Sequence, residues 1–202
     1  MIKYSGMKAE ESGNGGSKQL PAGAYVAKVL GARIIGLEPD QQLEVMLDIV
    51  WPEEYKDFYM DKFTAQKQRG SNYEVKYKGI RRLRIPNPDN KKAMYPESDM
   101  RNFNDMIARF QNSNPGVELF NDNGFDESKL TDLIVGISVQ DDEMNGNQYT
   151  KIARFENAED VKAGNVTKMA PAWEKRRNPT RPAPVVDQKS GMQVVTGKLP
   201  WD

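Results

Sequence analysis

From Gln66 to Lys92 the chain concentrates side chains that bind polyanions: Lys67, Arg69, Lys76, Lys78, Arg81, Arg82, Arg84, Lys91 and Lys92, against Glu74 and Asp89 alone. Tyr73 and Tyr77 lie in the same stretch. Ammonium and guanidinium groups neutralise phosphates with release of condensed counterions, and exposed rings stack on unpaired bases at about 1–3 kcal/mol per base. Tyr73, Lys76, Tyr77, Lys78, Arg81, Arg82 and Arg84 are therefore candidate contacts to single-stranded nucleic acid. Strand periodicity qualifies this, because Tyr73, Val75, Tyr77 and Gly79 would share one face and Lys76 and Lys78 the other. Rings and charges then meet at an edge or a twist. A hydrated strand whose tyrosines cover a core uses the same residues.

A second basic and aromatic cluster is Trp173, Lys175, Arg176 and Arg177, suited to a phosphate backbone with one stacked base, or to a solubilising linker. The final Leu199, Pro200, Trp201 and Asp202 have the character of a peptide hook for a partner's pocket. From Glu38 to Asp61 the charge reverses, with Glu38, Asp40, Glu44, Asp48, Glu53, Glu54, Asp57 and Asp61 against Lys56. The whole chain of 202 residues balances 29 basic against 29 acidic side chains.

Neither His nor Cys occurs. That excludes zinc fingers, thiolate clusters, Ser-His and Cys-His nucleophiles and a histidine pH switch. The best enzymatic set is Asp40 with Glu74 and Lys76, a loose imitation of carboxylate-plus-lysine Mg²⁺ sites in nucleases. Gly13-Asn14-Gly15-Gly16 lacks the Lys-Ser/Thr of a phosphate loop. No catalytic residue, metal or cofactor is assigned. No apolar run approaches the ~18–20 residues that span a bilayer, and Met1-Ile2-Lys3-Tyr4 leads into no signal-peptide core. A cytoplasmic protein without membrane contact is expected, with a homo-oligomer left open.

These side chains need elements to position them. Gly23 to Ile35 reads as a strand with a bulge at Gly31, and Gln42 to Trp51 as its hairpin partner, apolar at alternate positions, with Glu38-Pro39-Asp40 turning between them. Phe58 to Phe63 and Tyr73 to Ile85 are the next candidate strands, the second stopped by the loop Pro86-Asn87-Pro88-Asp89-Asn90. Phe103, Met106, Ile107 and Phe110 form one helical stripe, with Ser98 or Asp99 as N-cap and Asn114-Pro115-Gly116 as the stop. Leu133 to Val139 and Gln148 to Phe155 pair around Asn145-Gly146. Three strands, one main helix and two strands are the order of a mainly β, five-stranded oligonucleotide/oligosaccharide-binding (OB) barrel with the helix between its third and fourth strands. Residues 1–19 read as a disordered arm, 20–168 as the folded domain, and 169–202 as a Pro-rich basic flexible tail.

Several phrases resemble, in order, a family of bacteriophage proteins associated with single-stranded-DNA binding and long labelled a domain of unknown function. They are Leu20-Pro21-Ala22-Gly23-Ala24-Tyr25-Val26, the Leu43 to Ile49 strand with Tyr55-Lys56-Asp57-Phe58-Tyr59, Phe110-Gln111-Asn112-Ser113-Asn114-Pro115-Gly116, and Lys129-Leu130 with Leu133 to Gly136. The usual Trp-Asp after Asn-Pro-Gly is replaced by Val117-Glu118-Leu119-Phe120. The resemblance implies an OB-like protein that coats single-stranded DNA in phage replication or recombination. It also implies a C-terminal tip that recruits replication or recombination proteins. The alternative is a protein-interaction module, a phage factor acting on a host or replisome protein without nucleic acid; a Mg²⁺ nuclease is the third reading.

Overall fold

A computed structural model describes residues 19–70, 74–87, 96–122 and 124–177. Strand β1 (Gly23–Ile35) pairs antiparallel with β2 (Gln42–Trp51), which pairs with β3 (Ile80–Arg84). On its other edge β1 pairs with β6 (Ile134–Met144), and β6 with β7 (Asn147–Glu156). The result is one antiparallel sheet in the order β3-β2-β1-β6-β7, with a small hairpin of β4 (Phe120–Asn121) and β5 (Gly124–Phe125) beside it. The protein is mainly β, as the alternation implies. Among the described residues no helix is long and apolar enough to cross a membrane.

The main helix, α2 (Pro96–Ser113), lies between β3 and β6 and buries Phe103, Met106, Ile107 and Phe110, the stripe expected of it. It starts earlier than Ser98 or Asp99, so neither is its N-cap. Pro96 occupies the first turn, where a missing N–H costs nothing. The helix stops where expected. Asn114 Nδ2 donates to the carbonyls of Phe110 and Ile134 at 2.8 and 2.7 Å, and Gly116 takes left-handed backbone at a φ of 85°. Asn114 thereby ties the helix end to the start of β6.

Other signals hold at residue level. The β1–β2 register slips between Val29 and Gly31, the expected bulge. Asn145 and Gly146 have φ of 53° and 77°, the left-handed pair of a two-residue hairpin turn. The core gathers Leu43, Val45, Leu47 and Ile49 of β2 with Val135, Ile137 and Val139 of β6, closed by Phe110. A smaller cluster of Val26, Ala158 and Val161 seats α3 (Ala158–Lys162) on the sheet at Gly136, where a Cβ would lie 2.7 Å from Val161 Cγ2.

Three expectations need correction. Phe58 to Phe63 is not a strand but the start of α1 (Phe58–Gln68). Its aromatics suit a strand, yet Asp48 of β2 accepts from the N–H groups of Tyr59 and Met60 at 3.0 and 2.9 Å and so satisfies the orphan donors of a helix start. Tyr73 to Ile85 is regular only over β3: residues 74–79 carry no ladder, and Tyr73 lies outside the described residues. The tail read as extended from Ala170 forms α4 (Ala172–Arg177), six residues that follow Pro171, with Gln140 Nε2 donating to the Ala170 carbonyl at 2.5 Å. The remainder of that tail and residues 1–18 of the N-terminal arm lie outside the described residues.

Gly79 admits no side chain. A Cβ there would lie 2.2 Å from the Leu47 carbonyl and 2.8 Å from the Tyr59 ring, while the Gly79 carbonyl accepts from Leu47 N at 2.7 Å. Gly79→Ala is expected to lower stability by about 1–3 kcal/mol, the usual cost of overpacking, read by urea unfolding. An unchanged midpoint would show that the approach of the β3 lead-in to β2 is not required.

Candidate nucleic-acid interface

Two adjoining depressions, of about 500 and 760 Å³, share Lys78, Ile80, Lys151 and Ile152 and make one groove over β2, β3, α1 and β7. Arg33, Lys62, Lys76, Lys78, Arg81, Arg82 and Lys151 line it, against the carboxylates of Glu44 and Glu74. The rings of Phe58, Tyr59, Phe63, Tyr77 and Tyr149 line it too. Cations and aromatic surface that the strand period would separate are brought together by α1, which turns its Phe58–Lys62–Phe63 side toward the same space.

Glu44 organises one wall. It stands in register between Arg33 of β1 and Arg82 of β3, and it is 1% exposed. Arg33 Nε donates to Oε1 at 2.8 Å and Arg82 Nε to Oε2 at 2.7 Å, each backed by a second guanidinium nitrogen at 2.6 Å. Burial pushes the Glu44 carboxyl up, but the hydrogen bonds from Arg82 and Arg33 outweigh it and hold the group below its ordinary value. Two guanidinium groups on one carboxylate leave a net positive charge at the groove.

Asp48, also buried on β2, behaves oppositely. Desolvation raises its pKa despite the hydrogen bonds from Tyr59, Ile49 and Met60. Tyr77 sits close by: its hydroxyl donates to the Leu47 carbonyl at 2.8 Å, and desolvation, then the charge of Asp48, pushes its pKa up. The Tyr77 ring meets Phe63 and Tyr59 edge-on, with centroids 5.7 and 6.3 Å away. Tyr77 is half-buried, so the core sets its orientation and part of the ring borders the groove.

The sequence-derived candidates divide accordingly. Lys76 and Lys78 are exposed in the groove, with no ion pair among the described residues. Burial lowers the pKa of Lys62, and the nearby Lys78 adds to this. Arg82 is engaged by Glu44; Arg84 lies outside the groove, 3.5 Å from Asp40. Arg81 is half-buried and lines the groove. Trp173 is half-buried in α4, whereas the side chains of Lys175, Arg176 and Arg177, and all of Leu199, Pro200, Trp201 and Asp202, lie outside the described residues. Asp40 and Glu74 line different cavities, and among the described residues no group of three or more acidic side chains gathers as a metal site.

Arg33, Lys62, Phe63, Tyr149 and Lys151 were not legible as site residues. Lys151 joins through β7, where it pairs with the buried Asp142 at 2.6 Å beside the Tyr149 hydroxyl at 3.0 Å. Lys151 and Tyr149 reach β3 because the two edge strands approach each other, although they are farthest apart in the sheet order. In comparisons with known proteins, the chain matches no protein-family model and no curated protein.

Glu44→Gln keeps the shape but removes the charge between Arg33 and Arg82. Because the folded carboxyl is held below its unfolded pKa, its stabilisation is present above that unfolded value and lost as pH falls through the folded one. The variant is expected to be about 1–3 kcal/mol less stable at neutral pH, with the gap closing toward pH ~3, measured by urea unfolding at several pH values. A gap that stays constant across that range would refute the assignment.

Proposed function

We propose that the protein binds single-stranded DNA with little sequence preference and carries out no catalysis. The groove is the observation that carries this reading: seven cationic side chains against two carboxylates, interleaved with five aromatic rings. Lys76, Lys78, Arg81 and Lys62 contact phosphates, and the accessible parts of Tyr77, Phe63 and Tyr149 stack on bases, a combination that tolerates any sequence because every base has a π-face. Arg33 and Arg82 contribute through the excess charge of the Glu44 cluster.

The fold supports the reading. The order β3-β2-β1-β6-β7 with α2 between β3 and β6 is that of an OB barrel opened between its third and fifth strands. The edge strands β3 and β7 line the same cavities, which supports that reading of the sheet. In OB folds the face of strands 2 and 3 holds the oligonucleotide, and the groove lies over β2 and β3. The likeness in phrase order to phage single-stranded-DNA-binding proteins supports a role in phage replication or recombination inside the host cell, with the C-terminal tip as the hook for partner proteins.

Fluorescence anisotropy with labelled oligo-dT and duplex tests this. If about four phosphates are neutralised, a slope near −0.7 per contact gives a loss of about 50-fold in affinity between about 50 and 200 mM salt. Lys76→Glu with Lys78→Glu should weaken oligo-dT binding about tenfold or more at low salt without lowering the melting temperature. Single strand should be preferred over duplex. No binding to oligo-dT would remove the reading in favour of a protein-interaction module, and cleavage that needs Mg²⁺ and Asp40 would favour a nuclease.

A further inference from the structure

A separate cavity of about 180 Å³ lies where β3, β7 and α2 meet. Arg81 of β3, Arg109 of α2 and Arg154 of β7 each line it, with Asn102 and with two carboxylates, Asp105 and Glu156. Glu156 is already engaged, accepting from Ser138 Oγ at 2.6 Å and from Arg154 Nε. Those opposite charges cancel. What remains is Arg81 and Arg109 against Asp105, which is exposed on α2 one helical turn before Arg109.

Arg81 is the anomaly. Its Nε is buried and has no hydrogen-bond partner among the described residues. Burial also draws its guanidinium below the ordinary pKa, with no carboxylate acting against that. Buried polar atoms are almost always bonded, so a buried Nε without a partner at a cavity wall leaves a place for an acceptor. A water molecule would satisfy the N–H and leave the charge unanswered. A tetrahedral oxyanion answers both, and planar guanidinium forks on two different elements match its geometry.

We infer that the cavity between β3, β7 and α2 is a phosphate site, gripped by Arg81 and Arg109 with the Asn102 amide as a further donor. The ligand chemistry is the same for inorganic phosphate and for the terminal phosphomonoester of a nucleic acid. Arg81 lines both cavity and groove, so a strand lying in the groove can place its end phosphate here; that source rests on the proposed DNA binding, and the pocket itself does not. Asp105 opposes the anion and sets its affinity below the maximum the pocket could reach.

The full chain is titrated with inorganic phosphate against chloride at matched ionic strength, with the melting temperature as readout. Saturable stabilisation is expected, weakened about tenfold in Arg109→Gln, the loss of one charged fork, and strengthened several-fold in Asp105→Asn. Both variants should melt like the parent without phosphate. Anisotropy then compares 5′-phosphorylated with 5′-hydroxyl oligo-dT: tighter binding of the phosphorylated strand, lost in Arg109→Gln, assigns the terminal phosphate, and equal binding assigns the free anion. Phosphate binding in a protein that ignores oligo-dT would overturn the groove and leave the pocket. No saturable effect beyond chloride, or an effect unchanged in both Arg109→Gln and Asp105→Asn, would overturn the pocket.

Discussion

Strand β2 buries both of its faces, and the two carboxylates on the face opposite the core hold the rest in place. Glu44 and Asp48 are 1% and 3% exposed. A charge at such a position is tolerated only when it is paired and hydrogen-bonded, so each dictates what must surround it. Glu44 requires a cation on either neighbouring strand and finds Arg33 and Arg82 in register. Asp48 requires N–H donors and finds the first turn of α1, whose flanking residue Asp57 makes no side-chain cap of its own. One carboxylate thus sets the neighbours of β2, and the other sets the helix that forms the opposite wall of the groove.

The same logic recurs on the far edge of the sheet. Asp142 and Glu156, both buried, are met by Lys151 and Arg154 of β7. The segregation of charge along the chain is therefore largely undone in space: the acidic stretch around β2 is answered by β3, and the acid of β6 by β7. What survives is a local excess. Lys76 and Lys78 enter no ion pair among the described residues, and Glu44 is outnumbered by its guanidinium partners. A nearly neutral protein can present a cationic groove this way without the self-repulsion that a high net charge brings.

How much could be read from the chain follows from how local each signal is. The Gly31 bulge, the Asn145-Gly146 turn, the alternating apolar residues of β2 and the four-residue stripe of α2 are set by near neighbours and were legible. The helix α1 was not, because its start is capped by Asp48, ten residues upstream on another element, and its aromatics imitate a strand. The basic run from Lys76 to Arg84 was legible as chemistry but not as a site. Register spends Arg82 on Glu44 and sets Arg84 apart beside Asp40, while Arg33, Lys62 and Lys151 arrive from three other elements. Alternation also misled about β2 itself, since Glu44 and Asp48 occupy the positions expected to face water.

The gap between β3 and β7 is where these constraints meet. Each is an edge strand, with backbone groups that no ladder satisfies, and edges of that kind invite pairing with another chain. Here the two edges border the same cavities, and charged side chains line them, Arg81 and Arg82 from one side and Lys151 and Arg154 from the other. Arg82, Lys151 and Arg154 are each paired with a buried carboxylate, so the edges carry charged side chains that are largely neutralised, and charged edges of this kind disfavour docking of a foreign strand. Arg81 differs from these: it lines both cavities, and its buried Nε has no hydrogen-bond partner among the described residues, so it is at Arg81 that the proposed anion would meet the gap.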